Sequence, residues 1–250
     1  MPTIRRHHDV RHPSPDPAEE RAHLKERMAL VFRTLSRMGF DSGANGHGGV
    51  RDPERPDHLW VSPVGIHFGS IQADDLVLVS FAGEVVEGSH DVDETAFQIH
   101  SQVLHARPDR TTSLHTHGVY GRAWAIGRRL LPALHQDACA FHGAQGLLET
   151  FGGVAYGTDE GKHIAHALGD NKVCILGGHG TLAVGATPDA AAWWLIEFER
   201  CCQIQLIAEA SGMEVHPLDE GVAEQTALDI GSEEVGWLQF QPLAQRTAAS

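Results

Sequence analysis

Apolar and polar positions along this chain repeat with two periods, one helical and one extended. The switches between them outline the elements. Residues 18–38 (AEERAHLKERMALVFRTLSRM) put Leu24, Met28, Val31, Phe32 and Leu35 on one stripe, the spacing of an amphipathic helix. Ser14-Pro15-Asp16-Pro17 forms its start and Gly39 its stop. SGANGHGGVR (42–51) is a glycine-rich loop running toward a strand. Residues 58–62 (HLWVS) and 76–80 (LVLVS) predict strands, with Pro63-Val64-Gly65 as a turn between them. Phe81-Ala82-Gly83-Glu84 predicts a hairpin turn before Val85-Val86. Residues 94–106 carry Phe97, Ile99, Val103 and Leu104 at helical spacing, and Arg107-Pro108-Asp109 ends that helix. Beyond it the pattern predicts a strand at 112–117, helices at 118–126 and 159–168, strands at 172–176 and 181–184, and a long helix over 189–210 with Trp193, Trp194, Ile196 and Ile204 among its apolar positions. After Gly212 the signals weaken. Helices alternating with strands predict a layered α/β domain. Residues 1–16 predict a flexible leader, 17–215 one domain, and 216–250 an extension packed on that domain or on a neighbouring subunit.

The chain has 250 residues, 42% of them hydrophobic, enough for a sizeable core. No apolar run approaches the length of a membrane span, and the polar, basic first residues lack a secretory h-region. The formal net charge of −14 disfavours non-specific binding to nucleic acid or anionic membranes, while leaving room for an anionic small substrate at a local site. Cys139, Cys174, Cys201 and Cys202 form no CxxC pair, so reduced thiols in a cytoplasmic protein are expected.

Eighteen histidines are unusual, and at that frequency an HxH pattern arises about once by chance. His115-Thr116-His117 lies on a predicted strand, where period two sends both imidazoles to one face. His179, in Gly177-Gly178-His179-Gly180, follows another apolar strand, and its glycines let backbone and ring approach closely. Three neutral imidazoles with an open coordination position suit a catalytic divalent metal. Buried histidines bonded to the core are the competing reading from spacing alone.

HARPDRTTSLHTHGVYGRAWA (105–125) resembles the class II aldolase/adducin pattern, in which a helix ends at Arg-Pro-Asp and a strand then delivers His-x-His. CILGGHGTLAVG (174–185) is similar to the family's strand–His-Gly–strand element, and the gap of 179 − 117 = 62 residues is family-like. SGANGHGGVR with WVSPVG, and the long helix from Asp189 with its Trp-rich start, match two further elements, so the resemblance spans roughly residues 18–212. It implies a three-layer α/β/α fold with a central, mostly antiparallel sheet. It implies one divalent metal per subunit on His115, His117 and His179: zinc first, with manganese or iron as alternatives. It also implies a fourfold-symmetric tetramer with active sites between subunits.

The residues depart from the family's sugar-phosphate aldolases. Counting back from Arg107-Pro108-Asp109, the acid/base glutamate falls on Ala96, and the serines expected to touch phosphate are Glu94 and Thr95. In the glycine-rich loop the phosphate positions are Ala44 and His47. Glu94 is a candidate replacement base; the alternative is a solvated acidic helix start made by Asp91, Asp93 as N-cap and Glu94. His47, His67 and Gln136 are further catalytic candidates, Gln136 where a family aldolase presents a tyrosine from the neighbouring subunit. Arg51, His142, Ser62 and Gly65 are substrate-binding candidates, and Arg122 could likewise pair with a carboxylate; for each a structural or surface role is the alternative.

Three functions remain. The first is a metal-dependent lyase of aldolase or decarboxylase type, cleaving a C–C bond next to a chelated carbonyl or carboxylate of a small hydroxy, oxo or aromatic acid. Losing carbon dioxide needs an electron sink more than a strong base, which suits the missing glutamate. The second is a non-haem iron oxygenase resembling those of aminocoumarin pathways. The third is a non-catalytic, adducin-like module.

Overall fold

The computed structural model describes residues 11–249. The leader expected over 1–16 therefore lies outside the described residues up to residue 10. Pro17–Arg37 is helix α1, with Asp16 accepting from Ala18 N as N-cap and Pro17 at the first helical position. Eight strands follow in one sheet: β1 His47–Arg51, β2 His58–Val61, β3 Val77–Ser80, β4 Val85–Glu87, β5 Thr112–Thr116, β6 Gln145–Leu148, β7 Val173–Leu176 and β8 Gly180–Gly185. Their spatial order is β4-β3-β2-β1-β5-β8-β7-β6, and every neighbouring pair is antiparallel except β6 with β7. The fold is thus the expected α/β type with a mostly antiparallel sheet.

The helices cover both faces. On one face α1, α3 (Val119–Ile126) and α5 (Pro188–Ala210) enclose the large core around Met28, Phe32, Trp60, Leu114, Trp194 and Phe198. On the other, α2 (Glu94–Ala106) and α4 (Thr158–Leu168) cover Cys174, Leu176, Leu182 and Val184 with Ile99, Val103, Ile164 and Leu168. The two clusters lie on opposite sides of alternating strand residues, as the pleat requires.

Two expectations need correction. The segment at 42–51 is not a loop throughout: residues 47–51 form β1, an interior strand between β2 and β5. Its glycines are demanded by packing, since a Cβ on Gly48 would lie 2.5 Å from Leu114 Cδ2 and 2.7 Å from Met28 Cε. A period-two apolar signal is absent because small residues let α1 approach the strand. The weak signals after Gly212 conceal two helices, α6 (Glu220–Ile230) and α7 (Glu233–Ala248), the second with Pro242 inside it. Their apolar faces are narrow, and packing of Ala223, Phe240 and Ala244 holds them in place. β6 also carried no readable alternation, with Gln145 bonding Leu131 N and O through its side chain.

Candidate metal centre

β5 delivers His115 to the α2/α4 face of the sheet, where its strand partner on β8 is Leu182. Thr116 turns to the opposite face and pairs with Thr181. His117 follows at the strand end. His179 sits in the tight turn between β7 and β8, with Gly178 at a positive φ of 74°. The three rings converge: centroids lie 4.9 Å apart for His115–His117, 4.6 Å for His115–His179 and 5.0 Å for His117–His179. One ring nitrogen from each lies within 4.8 Å of the other two.

His115 is fully buried, and its Nδ1–H donates to the Thr181 carbonyl at 2.9 Å. A carbonyl only accepts, so the proton is on Nδ1 and Nε2 keeps its lone pair. That Nε2 is buried with no hydrogen-bond partner. An unpaired buried acceptor costs free energy, and a cation among three imidazoles satisfies it. The residues therefore fit a divalent metal. Burial, followed by the neighbouring rings of His47, His179 and His117, holds His115 well below the ordinary histidine range. Burial and then His117 push His179 down to about 4, and burial and then Arg122 lower His117. All three are held neutral, the form that binds metal.

A fourth imidazole stands beside them. His47 is the cross-strand partner of His115, with ring centroids 5.1 Å apart. Its Nδ1 is 2.8 Å from Nε2 of His100, whose Nδ1 is 2.8 Å from Ser113 Oγ. His100 is buried on α2, and burial and then His115 push it down to about 3. A cleft of about 340 Å³ opens over His47, His117 and His179. Its other walls come from Asp93, Thr95 and Ile99 of the α2 start and from Phe151, Val154 and Tyr156 of the loop before α4. No lysine or arginine lines it among the described residues. Phe151 packs on His179 with centroids 5.7 Å apart.

Among the remaining candidates, Ser62 and Gly65 line a small recess that shares Ala44, His47 and Asp93 with the cleft, and Ser62 Oγ accepts from Gly48 N at 3.2 Å. Glu94 is exposed and off the cleft wall, because Asp93 takes the capping position and accepts from Thr95 N and Ala96 N. His67 caps a short turn through Gly69 N and pairs with Asp41 at 3.0 Å. Arg51 spends its guanidinium on the carbonyls of Pro56, Leu104, Arg107 and Arg110. Gln136 is exposed and His142 faces Glu220 at 3.3 Å, both near the turn Asp137–Phe141 and outside the cleft lining of this chain. Sequence reasoning passed over His100 and the loop bearing Phe151 and Tyr156. The loop has no periodicity, and His100 looks like any buried helix position.

The model described as Class II Aldolase and Adducin N-terminal domain matches residues 26–206. A 4-hydroxy-3-prenylphenylpyruvate oxygenase/4-hydroxy-3-prenylbenzoate synthase from Streptomyces roseochromogenus subsp. oscitans is 40% identical over 234 residues, 93% of this chain and 84% of that protein. Decarboxylase NovR from Streptomyces niveus is also 40% identical over 234 residues, 93% of this chain and 86% of that protein. A solved structure of L-fuculose 1-phosphate aldolase from Glaciozyma antarctica PI12 superposes with a TM-score of 0.88 at 36% identity, covering 96% of this chain and 94% of the other.

Proposed function

We propose that the protein is a metal-dependent carbon–carbon lyase of decarboxylase type, proceeding from the fact that the chain belongs to the class II aldolase and adducin family. The observation that carries this reading is the bare Nε2 of His115 among His117 and His179, beneath a cleft with an apolar wall and no cation. A divalent ion held by His115, His117 and His179 supplies Lewis-acid polarisation of a chelated carbonyl or carboxylate.

This chain's own residues narrow the substrate. Among the described residues the cleft wall carries the carboxylate of Asp93 and no lysine or arginine, and Ala44 gives the glycine-rich loop no hydroxyl there, which disfavours a phosphate dianion. Ile99, Phe151, Val154 and Tyr156 offer apolar contact to a ring. Ala96 is buried and cannot exchange a proton. Loss of carbon dioxide would leave the bonding electron pair on the remaining substrate carbon, which then takes a proton from solvent; no base is needed before the bond breaks, so the missing glutamate would not block it. His47 lines the cleft, its Nε2 makes no hydrogen bond within the described residues, and in this reading it bonds a substrate oxygen. Gln136 enters this reading only from a neighbouring subunit of the expected tetramer.

Oxidative decarboxylation with ferrous iron is the second reading, favoured by the relative named as an oxygenase at 40% identity. The test is metal analysis of protein purified without chelator, followed by carbon dioxide release from 4-hydroxyphenylpyruvate and a 4-hydroxyphenyl 3-oxo acid, with L-fuculose 1-phosphate as comparison. Release under argon with zinc or manganese supports the lyase. Release only with ferrous iron and oxygen selects the second reading. Less than about a tenth of an equivalent of metal, with no binding on addition, overturns both.

A further inference from the structure

The three candidate ligands are not oriented in the same way. His115 is held by the Thr181 carbonyl, whereas the His117 ring makes no hydrogen bond within the described residues and stands against the rings of His115 and His179, with the Arg122 charge nearby. Its direction must come from its backbone. That backbone lies between two fixed points. On one side Thr116 is the last ladder residue of β5, paired with Thr181. On the other, Gly118 is the N-cap of α3 and offers no side chain to cap it.

The missing cap comes from α5. Glu199, only 7% exposed, accepts from Tyr120 N at 2.7 Å and from Gly121 N at 2.6 Å, two of the N-terminal donors of α3 that have no partner in their own helix. The carboxylate also occupies the space that side chains would need: a Cβ on Gly118 would lie 2.5 Å from Glu199 Oε2, and one on Gly121 would lie 2.6 Å from the same atom. The two glycines and the carboxylate form one lock, closed immediately behind His117.

We propose that Glu199 is a positioning residue of the metal centre, which fixes the His117 arm by clamping the N-terminus of α3 from a helix that reaches neither metal nor substrate. The inference rests on the metal reading of His115, His117 and His179. A carboxylate can take both N–H groups because each oxygen only accepts. In Glu199→Gln the amide NH2 faces one of the two donors, so one bond is lost with almost no change in volume.

The test uses the full chain freed of metal, titrated with cobalt(II) by its visible absorption and with zinc by competition against a chromophoric chelator. Glu199→Gln is expected to weaken both metals by at least about tenfold, in the range typical of groups that orient a ligand. Its cobalt spectrum should shift toward that of His117→Ala, with the unfolding midpoint of the metal-free protein little changed. Affinities within about twofold of wild type, or a fall in metal-free stability with affinity intact, overturn the proposal. If Glu199→Gln does not fold, Gly121→Ala takes its place on the same thresholds, because its methyl displaces the carboxylate without removing the charge. A wild-type protein that binds neither metal overturns the metal reading and this inference with it. A wild type that binds both beside a variant that binds equally well overturns this inference alone.

Discussion

Replacing His115 by alanine tests the centre without any knowledge of the substrate. A ligand that binds only the folded state stabilises it by RT ln(1 + [L]/Kd), about 2.7 kcal/mol at one hundred times Kd. In a chain of 250 residues each kcal/mol moves the unfolding midpoint by roughly 2–4 °C, so wild type should gain roughly 5–11 °C on adding metal at that level. His115→Ala removes the ring whose Nε2 has no other partner, leaving two imidazoles. If affinity falls about a hundredfold, the same metal concentration sits near the new Kd. The gain then shrinks to about 0.4 kcal/mol, or about 1–2 °C. The substitution also opens a cavity at a fully buried position and frees the Thr181 carbonyl, so the metal-free variant starts lower. The quantity to compare is therefore the difference between metal-loaded and metal-free midpoints within each protein, by scanning calorimetry. With 18 histidines in the chain, His216→Ala at an exposed position is the control and should keep the full gain. A gain above about 5 °C in His115→Ala would refute the assignment of this ring as a ligand.

Asp52 gives a pH prediction. Burial pushes its carboxyl up, but hydrogen bonds from Arg21, Trp60 and the backbone of Arg55 and Glu54 outweigh this and hold it at about 2, against an ordinary 3.8. A depressed folded value stabilises above the unfolded value and is lost as pH falls from about 4 toward 2, a contribution of about 2 kcal/mol. Urea unfolding of wild type should show this loss and Asp52→Asn should lack it; parallel pH slopes would count against the ion pair. Phe151→Ala should raise KM for an aromatic acid about tenfold, about 1.4 kcal/mol of lost contact, while leaving a pyruvate-sized acid unaffected. An equal rise for both acids would remove Phe151 from the substrate wall.

What the amino-acid sequence determined by itself is local. The stripe of Leu24, Met28, Val31, Phe32 and Leu35 specifies α1, and Asp93 caps α2 as expected. Period two on β5 sends His115 and His117 to one face because a strand's alternation needs no partner to be defined. The glycines around His179 announce a tight turn for the same reason. What lies across the sheet is different. That His47 stands beside His115 depends on the register of β1 against β5. That His100 reaches His47 depends on how α2 crosses that pair, and that Glu199 caps α3 depends on the path of α5 seventy-eight residues further along the chain. These contacts follow from close packing of layers, in which Gly48, Gly118 and Gly121 matter for the side chains they lack. A residue-by-residue pattern records each side chain's own preference; only the assembled layers decide which distant group fills the space a glycine leaves.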